Sequence, residues 1–326
     1  MNIKIKNHLT VSLVIRTYNE ERHIGRLLDG IQRQELPKGV TVELIVVDSG
    51  STDSTVSIAK HMGANVISIA KEKFSFGRSL NIGCEEAKGD VLLFASAHVY
   101  PIFTDWIEKM VRHFLNNENI GLVYGRQTGN DLTHFSEQQV FNKWFPEESN
   151  NNQSTPFCNN ANCAVRKSLW LQQPYDEALT GLEDLDWANK IMAKGYRIVY
   201  DADAAIVHIH EESPQKIKNR YRREAIALKH IMPKVHVGFW DFIILFVSNT
   251  FSDLYHSIQK RCFWKELKNI IVFRYMQFYG TYLGHQQKGA ITKELKNRFY
   301  YPNVLTKQQD SFDPAVKKVS KKIEYS

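Results

Sequence analysis

Cysteine is scarce in this chain. Cys84, Cys158, Cys163 and Cys262 are the full complement, and none falls in a CxxC pair. That argues against a zinc ribbon or a disulfide framework and leads us to expect reduced thiols in a cytoplasmic protein. Long apolar runs are also missing. The most apolar stretch, Phe239 to Val247, is far short of the about 20 residues that span a bilayer. The start, Met1 to Asn7, is polar, and no signal peptide is expected. There is no GxGxxG and no GxxxxGK[ST], so the dinucleotide fold and the P-loop lack their phosphate loops. No internal repeat is seen.

What is present is a globular composition, 43% hydrophobic and 24% charged, over 326 residues. That is enough for one large α/β domain with an appendage. The net charge of +7 is unevenly placed: residues 206–326 carry 21 Lys and Arg against 10 Asp and Glu, whereas the first 205 carry 21 against 25. A basic final third suits an anionic membrane surface or nucleic acid, and equally a solvated basic face. No nucleic-acid motif accompanies it, so no nucleic-acid partner is expected.

Read in order, apolar strands alternate with amphipathic helices. Strands are predicted at Val11–Ile15, Val42–Val47, Asn65–Ile69, Val91–Ala95 and Ile120–Tyr124. Between them, Ile24, Leu27, Leu28 and Ile31 recur at helical spacing, as do Trp106, Met110, Val111 and Phe114. Helices are also read through Val56–Met62 and Arg78–Ala87. Such alternation with short connections implies right-handed βαβ units and a mostly parallel sheet. The strand Val91–Ala95 delivers Ser96 and His98 to its carboxyl edge, where open α/β sheets bind ligands. Residues 128–156, polar and rich in Asn, read as a mobile lid or substrate loop. A strand over Asn159–Arg166, short strands at Tyr196–Tyr200 and Ala204–His210, and a basic helix from Ile217 to His230 complete the domain. The aromatic segments after it, Phe239–Val247 and Ile270–Leu283, suit a membrane interface; packing on the catalytic domain or on a second subunit are the alternatives.

Six motifs then stand in one register: Thr17-Tyr18-Asn19-Glu20, Val47-Asp48-Ser49-Gly50-Ser51-Thr52-Asp53, Gly77-Arg78-Ser79-Leu80-Asn81-Ile82-Gly83, Ser96-Ala97-His98 after its apolar strand, Gly181-Leu182-Glu183-Asp184, and His208-Ile209-His210. Their order and spacing resemble a bacterial family 2 glycosyltransferase, over roughly residues 9–230. The resemblance implies an α/β GT-A fold, a mostly parallel sheet flanked by helices with a C-terminal helical extension. It also implies inversion at the anomeric carbon and a nucleotide-sugar donor. On that basis residues 1–230 are expected to form the GT-A domain, with a nucleotide half at about 9–100 and an acceptor half at about 101–230. Residues 231–300 are expected to form an amphipathic helical extension, and 301–326 a disordered basic tail.

The resemblance places the donor nucleotide and diphosphate at Thr17, Tyr18, Glu20, Asp48, Arg78, Ser96 and His98. Each has a physical rationale beside a plainer one. Tyr18 offers a stacking face for a base, or is simply a core tyrosine. Asp48 can accept from a base imide; the plainer reading is a helix cap, which Thr52 and Asp53 already supply. Arg78 can fork onto a diphosphate, or lie on the surface. Trp187 and Trp170 can stack on sugars, although Trp is more often core. Glu183 would bind acceptor or sugar hydroxyls. Asp184 would be the catalytic base, taking the acceptor proton as the hydroxyl attacks.

The chain departs from the family where similar enzymes carry Asp-x-Asp. Ser96 and His98 stand in those positions, so oxygen ligands for Mg²⁺ are missing. A His98–His208 site for Mn²⁺ and a metal-independent site, in which His98 and Arg78 hold the diphosphate, both stay open. The expected function is glycosyl transfer to a glycan or polyprenyl-linked glycan in surface polysaccharide synthesis, peripherally at the inner membrane, with a homodimer as an open alternative. A non-catalytic nucleotide-sugar-binding or scaffold subunit is the other reading.

Overall fold

The computed structural model describes residues 8–289. Met1–Asn7 and the expected basic tail at 301–326 lie outside the described residues, as does the end of the expected helical extension. The chain alternates β1 (Leu9–Thr17), α1 (Ile24–Gln32), β2 (Val40–Asp48), α2 (Thr55–His61), β3 (Asn65–Ser68), α3 (Phe76–Glu86) and β4 (Val91–Ser96). It continues through β5 (Val99–Pro101), α4 (Trp106–Asn116), β6 (Ile120–Thr128), α5 (Phe135–Trp144), β7 (Asn162–Arg166), α6 (Lys167–Gln172), α7 (Glu183–Ala193) and β8 (Arg197–His208). Three long helices follow: α8 (Pro214–Ile231), α9 (Phe239–Gln259) and α10 (Phe263–Gln286).

The strands form one sheet in the order β3-β2-β1-β4-β7-β6-β8-β5. The first four are parallel, so β1 and β4 end side by side, with Arg16 opposite Ser96. Strand β7 runs antiparallel to β4 and β6. Helices cover both faces because the central strands are apolar on both. Val11, Leu13 and Ile15 face one core with α1 and α4, and Val14, Ile45 and Phe94 face the other with α3 and α7. Each such fully buried aliphatic side chain contributes about 1.5–3 kcal/mol.

Two expectations need correcting. The stretch 128–156 is not one long loop, because Phe135–Trp144 is helical and buries Phe135 and Phe141. Its apolar residues are spaced widely among polar ones, which hides the helix in the sequence. The two short strands around Tyr196–His210 are one, β8, of 12 residues. It is carried through Asp201, whose buried carboxylate accepts from Arg112 and His113 on α4.

Helix α10 lies against α8 where Gly280 and Gly284 stand four residues apart. A Cβ at Gly280 would come 2.4 Å from the Lys218 carbonyl oxygen, and one at Gly284 2.5 Å from that of Arg222. The approach needs glycine. Buried Arg274 fastens α10 to α9 through Asp253, at 2.7 and 2.9 Å, and to α5 through the Ser136 carbonyl at 3.3 Å. The helical extension is therefore bound to the sheet domain, while one face of α9 stays exposed. No helix among the described residues is long and apolar enough to cross a membrane.

Candidate active site

A cleft of about 560 Å³ opens at the carboxyl ends of β1 and β4, between the start of α7, the end of β8 and α8. Its two walls differ in chemistry.

The first wall is acidic. Leu182 adopts the left-handed conformation, φ 56°, directly before α7. A leucine there is strained, and it aims the first turn of α7, with Glu183 and Asp184, into the cleft. Asp184 is buried. One carboxylate oxygen accepts from the Asn160 N–H at 2.9 Å and the other from the Leu185 N–H at 2.8 Å. Burial, then the neighbouring Glu183 carboxylate, pushes its carboxyl up to about 7. Glu183 accepts from the Arg16 guanidinium at 2.9 Å. Phe76 has guanidinium groups over its ring, Arg16 at 4.8 Å and Arg223 at 4.4 Å. Asp186 instead bonds Lys190 at 2.6 Å and does not line the cleft.

The second wall is imidazole. Strand β5 pairs antiparallel with β8, placing Val99 opposite His208. This register brings His98 beside His208, with ring centroids 5.1 Å apart, and His210 4.1 Å from His208. Each ring is held at Nδ1: His98 by Glu20 at 2.9 Å, His208 by Gln127 at 2.7 Å and His210 by Glu137 at 2.6 Å. Carboxylates only accept, so the Nδ1 atoms of His98 and His210 carry protons and Nε2 is left as the ligating atom. Burial, with His210 and His98 nearby, pushes His208 well below its ordinary value. Burial would lower His98 too, but the Glu20 carboxylate overrides it and raises it. Behind His210, Glu137 also accepts from Arg220 at 2.7 Å. Burial alone would raise Glu137; His210 and Arg220 hold it far below the usual carboxylate range.

These residues fit a divalent cation. The Nε2 of His208 is buried with no hydrogen-bond partner, and ligand atoms of His98, His208 and His210 lie within 4.8 Å of one another.

The other residues singled out in the sequence are dispersed. Tyr18, Glu20 and Ser96 line the cleft. Tyr18 is half-buried, with its hydroxyl 3.3 Å from the Lys71 ammonium. Thr17 is buried beneath the cleft floor. Asp48 is buried too: one oxygen accepts from the Gly50 and Ser51 N–H groups at 2.9 and 3.0 Å, as a turn cap, and the other has no partner among the described residues. Arg78 is directed to Glu177, 3.5 Å away, and does not reach the cleft. The cations that do line it are Arg16, Arg22, Lys216, Arg220 and Arg223.

The two tryptophans require correction. Trp170 and Trp187 are core residues, 4% and 1% exposed, donating to the Asn81 side chain and the Gln173 carbonyl. Neither faces the cleft. Of the residues that sequence reasoning passed over, Arg16 had the clearest signal, a cation closing an otherwise apolar strand. Glu137, Gln127 and Arg220 had none, because they are placed by tertiary packing.

A mixed, mostly parallel sheet with a carboxylate-bearing cleft at its carboxyl edge is a fold with solved counterparts. A mannosyltransferase from Pyrobaculum calidifontis, solved with GDP-Man and Mn²⁺, superposes with a TM-score of 0.58 at 17% identity, over 84% of this chain and 86% of that one. Glucosyl-3-phosphoglycerate synthase from Mycobacterium tuberculosis superposes at 0.52 with 21% identity, over 71% and 83%. The fold is GT-A. Residues 12–171 match the family model Glycosyl transferase family 2. The O-antigen chain rhamnosyltransferase RfbN of Salmonella typhimurium is 27% identical over 227 residues, 65% of this chain and 70% of the relative. WbaN of Salmonella anatum, also an O-antigen chain rhamnosyltransferase, is 27% identical over 198 residues, 55% of this chain and 60% of the relative. The chain is a glycosyltransferase and carries a family 2 domain.

Proposed function

We propose that this protein transfers a sugar, with inversion, from a nucleotide-activated donor to a glycan or polyprenyl-linked glycan acceptor of a surface polysaccharide. The similarity to the rhamnosyltransferases RfbN and WbaN makes rhamnose the first sugar to test. The observation that carries the reading is Asp184. It is a carboxylate in the cleft, fixed by two backbone N–H groups, with its proton affinity raised by burial to about 7. A base matched to neutral pH is what single displacement needs: it accepts the acceptor hydroxyl proton while that oxygen attacks the anomeric carbon. Arg16 holds the Glu183 carboxylate beside it at 2.9 Å, leaving Asp184 as the proton acceptor. A non-catalytic binding subunit would have no use for such a base.

The donor diphosphate belongs at the imidazole wall, with Tyr18 and Lys71 beside the base. His98, His208 and His210 would hold a divalent ion there, and such an ion supplies positive charge to the leaving diphosphate. Arg220 and Arg223 line the same cleft and extend the positive field.

The exposed face of α9 supports peripheral membrane attachment near a lipid-linked acceptor. Trp240, Ile244, Phe251, Tyr255 and Ile258 recur at helical spacing and stay exposed, and Trp264 follows at 85% exposure. Exposed Lys260, Arg261, Lys265 and Lys268 flank that end. Apolar stripe and basic rim together match an anionic lipid surface. Trp240→Glu with Trp264→Glu should abolish pelleting with anionic vesicles and leave the protein's mass in solution unchanged. A fall from dimer to monomer with vesicle binding intact would assign this face to a second copy.

The function itself is tested by incubating the purified protein with nucleotide-rhamnose and other nucleotide sugars, with lipid-linked glycan acceptors, and following product anomericity by NMR. Transfer with inversion that Asp184→Asn removes is expected. Retention of configuration would overturn the mechanism.

A further inference from the structure

The imidazole wall specifies which ion it takes, an inference that rests on the glycosyl-transfer reading of the cleft. We propose that His98, His208 and His210 together bind one transition-metal dication of the zinc and cobalt class through their Nε2 atoms, in preference to Mg²⁺, with a position left open toward the cleft for a phosphate oxygen.

The ligand set is the first argument. Three histidines offer ligand atoms within 4.8 Å of one another, so modest ring rotations bring them onto one ion with bonds of about 2.0–2.1 Å. All three ligands are nitrogen. Mg²⁺ prefers oxygen and keeps its water, whereas zinc, cobalt and nickel accept imidazole readily. Ser96 brings no carboxylate to offset this.

The surroundings are the second argument. Each histidine is fixed at Nδ1 by a side-chain oxygen, from Glu20, Gln127 and Glu137. An oxygen behind each ligating ring is how proteins orient imidazoles on a metal and raise their basicity. The buried, unpartnered Nε2 of His208 is the third. A nitrogen so placed costs stability unless something fills the position it faces.

The nearby group of Glu137, His210 and Glu212 does not compete. Arg220 already bridges both carboxylates at 2.7 Å and supplies the positive charge. The ligands of the histidine site are neutral when bound, so an ion there keeps its full charge. That charge is matched to a doubly negative diphosphate.

The test uses the full chain, stripped with EDTA and dialysed. Co²⁺ is titrated in while the visible d–d absorption is recorded, and Zn²⁺, Mn²⁺ and Mg²⁺ are titrated by calorimetry. One Co²⁺ per chain is expected, displaced by Zn²⁺, with Zn²⁺ at least 100-fold tighter than Mg²⁺. His98→Ala and His210→Ala should each weaken Co²⁺ binding at least ten-fold. Glu20→Gln, which keeps the ring's neighbour but not its charge, should weaken it about ten-fold. Circular dichroism of each variant confirms the fold, and His98→Ala, at the partly exposed ring, serves where His208→Ala fails to fold. Binding no tighter than in the triple alanine variant, or Mg²⁺ as tight as Zn²⁺, would overturn the proposal. UDP, dTDP and GDP binding is measured in EDTA alongside. Nucleotide binding without any metal site overturns the ion and leaves the transfer reading standing. A metal site with neither nucleotide binding nor transfer keeps the ion and removes the transfer reading.

Discussion

The two walls of the cleft are built by opposite means. The acidic wall belongs to one helix start, where Leu182, Glu183 and Asp184 are consecutive; Asp184 is held by the adjacent Leu185 N–H and the distant Asn160 N–H, and Glu183 by Arg16. The imidazole wall is assembled from three distant places: His98 after β4, His208 at the end of β8 and His210 beyond it, steadied by Glu20, Gln127 and Glu137. One wall presents consecutive residues of a single helix start, the other gathers its residues through sheet register. The difference suits their proposed tasks. A base must be aimed to a fraction of an ångström, whereas a phosphate-holding surface must gather charge from several directions.

The comparison is broken most severely at Asp184. Asp184→Asn should reduce kcat at least 1,000-fold, at the upper end of what a general base contributes, with donor affinity changed less than three-fold. Transfer kinetics and calorimetry check both halves. Next comes Arg16→Met, which leaves the buried Glu183 carboxylate without its partner. It should cost about 3 kcal/mol of stability in a urea titration. Arg16 also lowers the proton affinity of Asp184. Its loss should therefore move the acid limb of kcat/KM to higher pH, and an unmoved limb would separate the two groups.

The pH dependence sharpens the contrast further. With Asp184 at about 7, kcat/KM should rise with pH through that value as the base ionises. Stability runs the other way. The carboxyl binds its proton more tightly folded than unfolded, so its contribution is complete below the ordinary carboxylate range and is lost as pH rises through about 7. Asp184→Asn removes this loss, and at pH 8 it should raise Tm by about 2–4 °C. The smallest expected effect is functional silence at the tryptophans. Trp170→Phe and Trp187→Phe should lower Tm slightly and leave the acceptor KM unchanged, since neither ring faces the cleft.

Much of the nucleotide half was legible in the sequence because its strands are short apolar runs closed by glycine or polar caps. Gly63, which ends the turn after α2, has φ +84°, as its position after a helix implies. The position of Asp184 at a helix start was legible in Gly181-Leu182-Glu183-Asp184, and its proposed role came from the family resemblance. The imidazole wall was legible only in part: His98 and His208 stood out by their positions at strand ends, but their meeting depends on the β5–β8 register. Arg78 read as a phosphate ligand because its motif gives its place on α3 but not its rotamer, which turns to Glu177. The tryptophans misled for a related reason. Residue type sets what a side chain can do, and burial decides what it touches. Helix α5 was hidden because its buried face is narrow, with Phe135 followed by four polar residues before the next apolar one.

The central claim is that binding and chemistry are divided between the walls. It is tested most directly by calorimetric binding of UDP, dTDP and GDP to the wild-type protein, to Asp184→Asn and to His98→Ala. One nucleotide should bind, Asp184→Asn should retain that affinity, and His98→Ala should lose it at least ten-fold. Loss in Asp184→Asn together with retention in His98→Ala would contradict it.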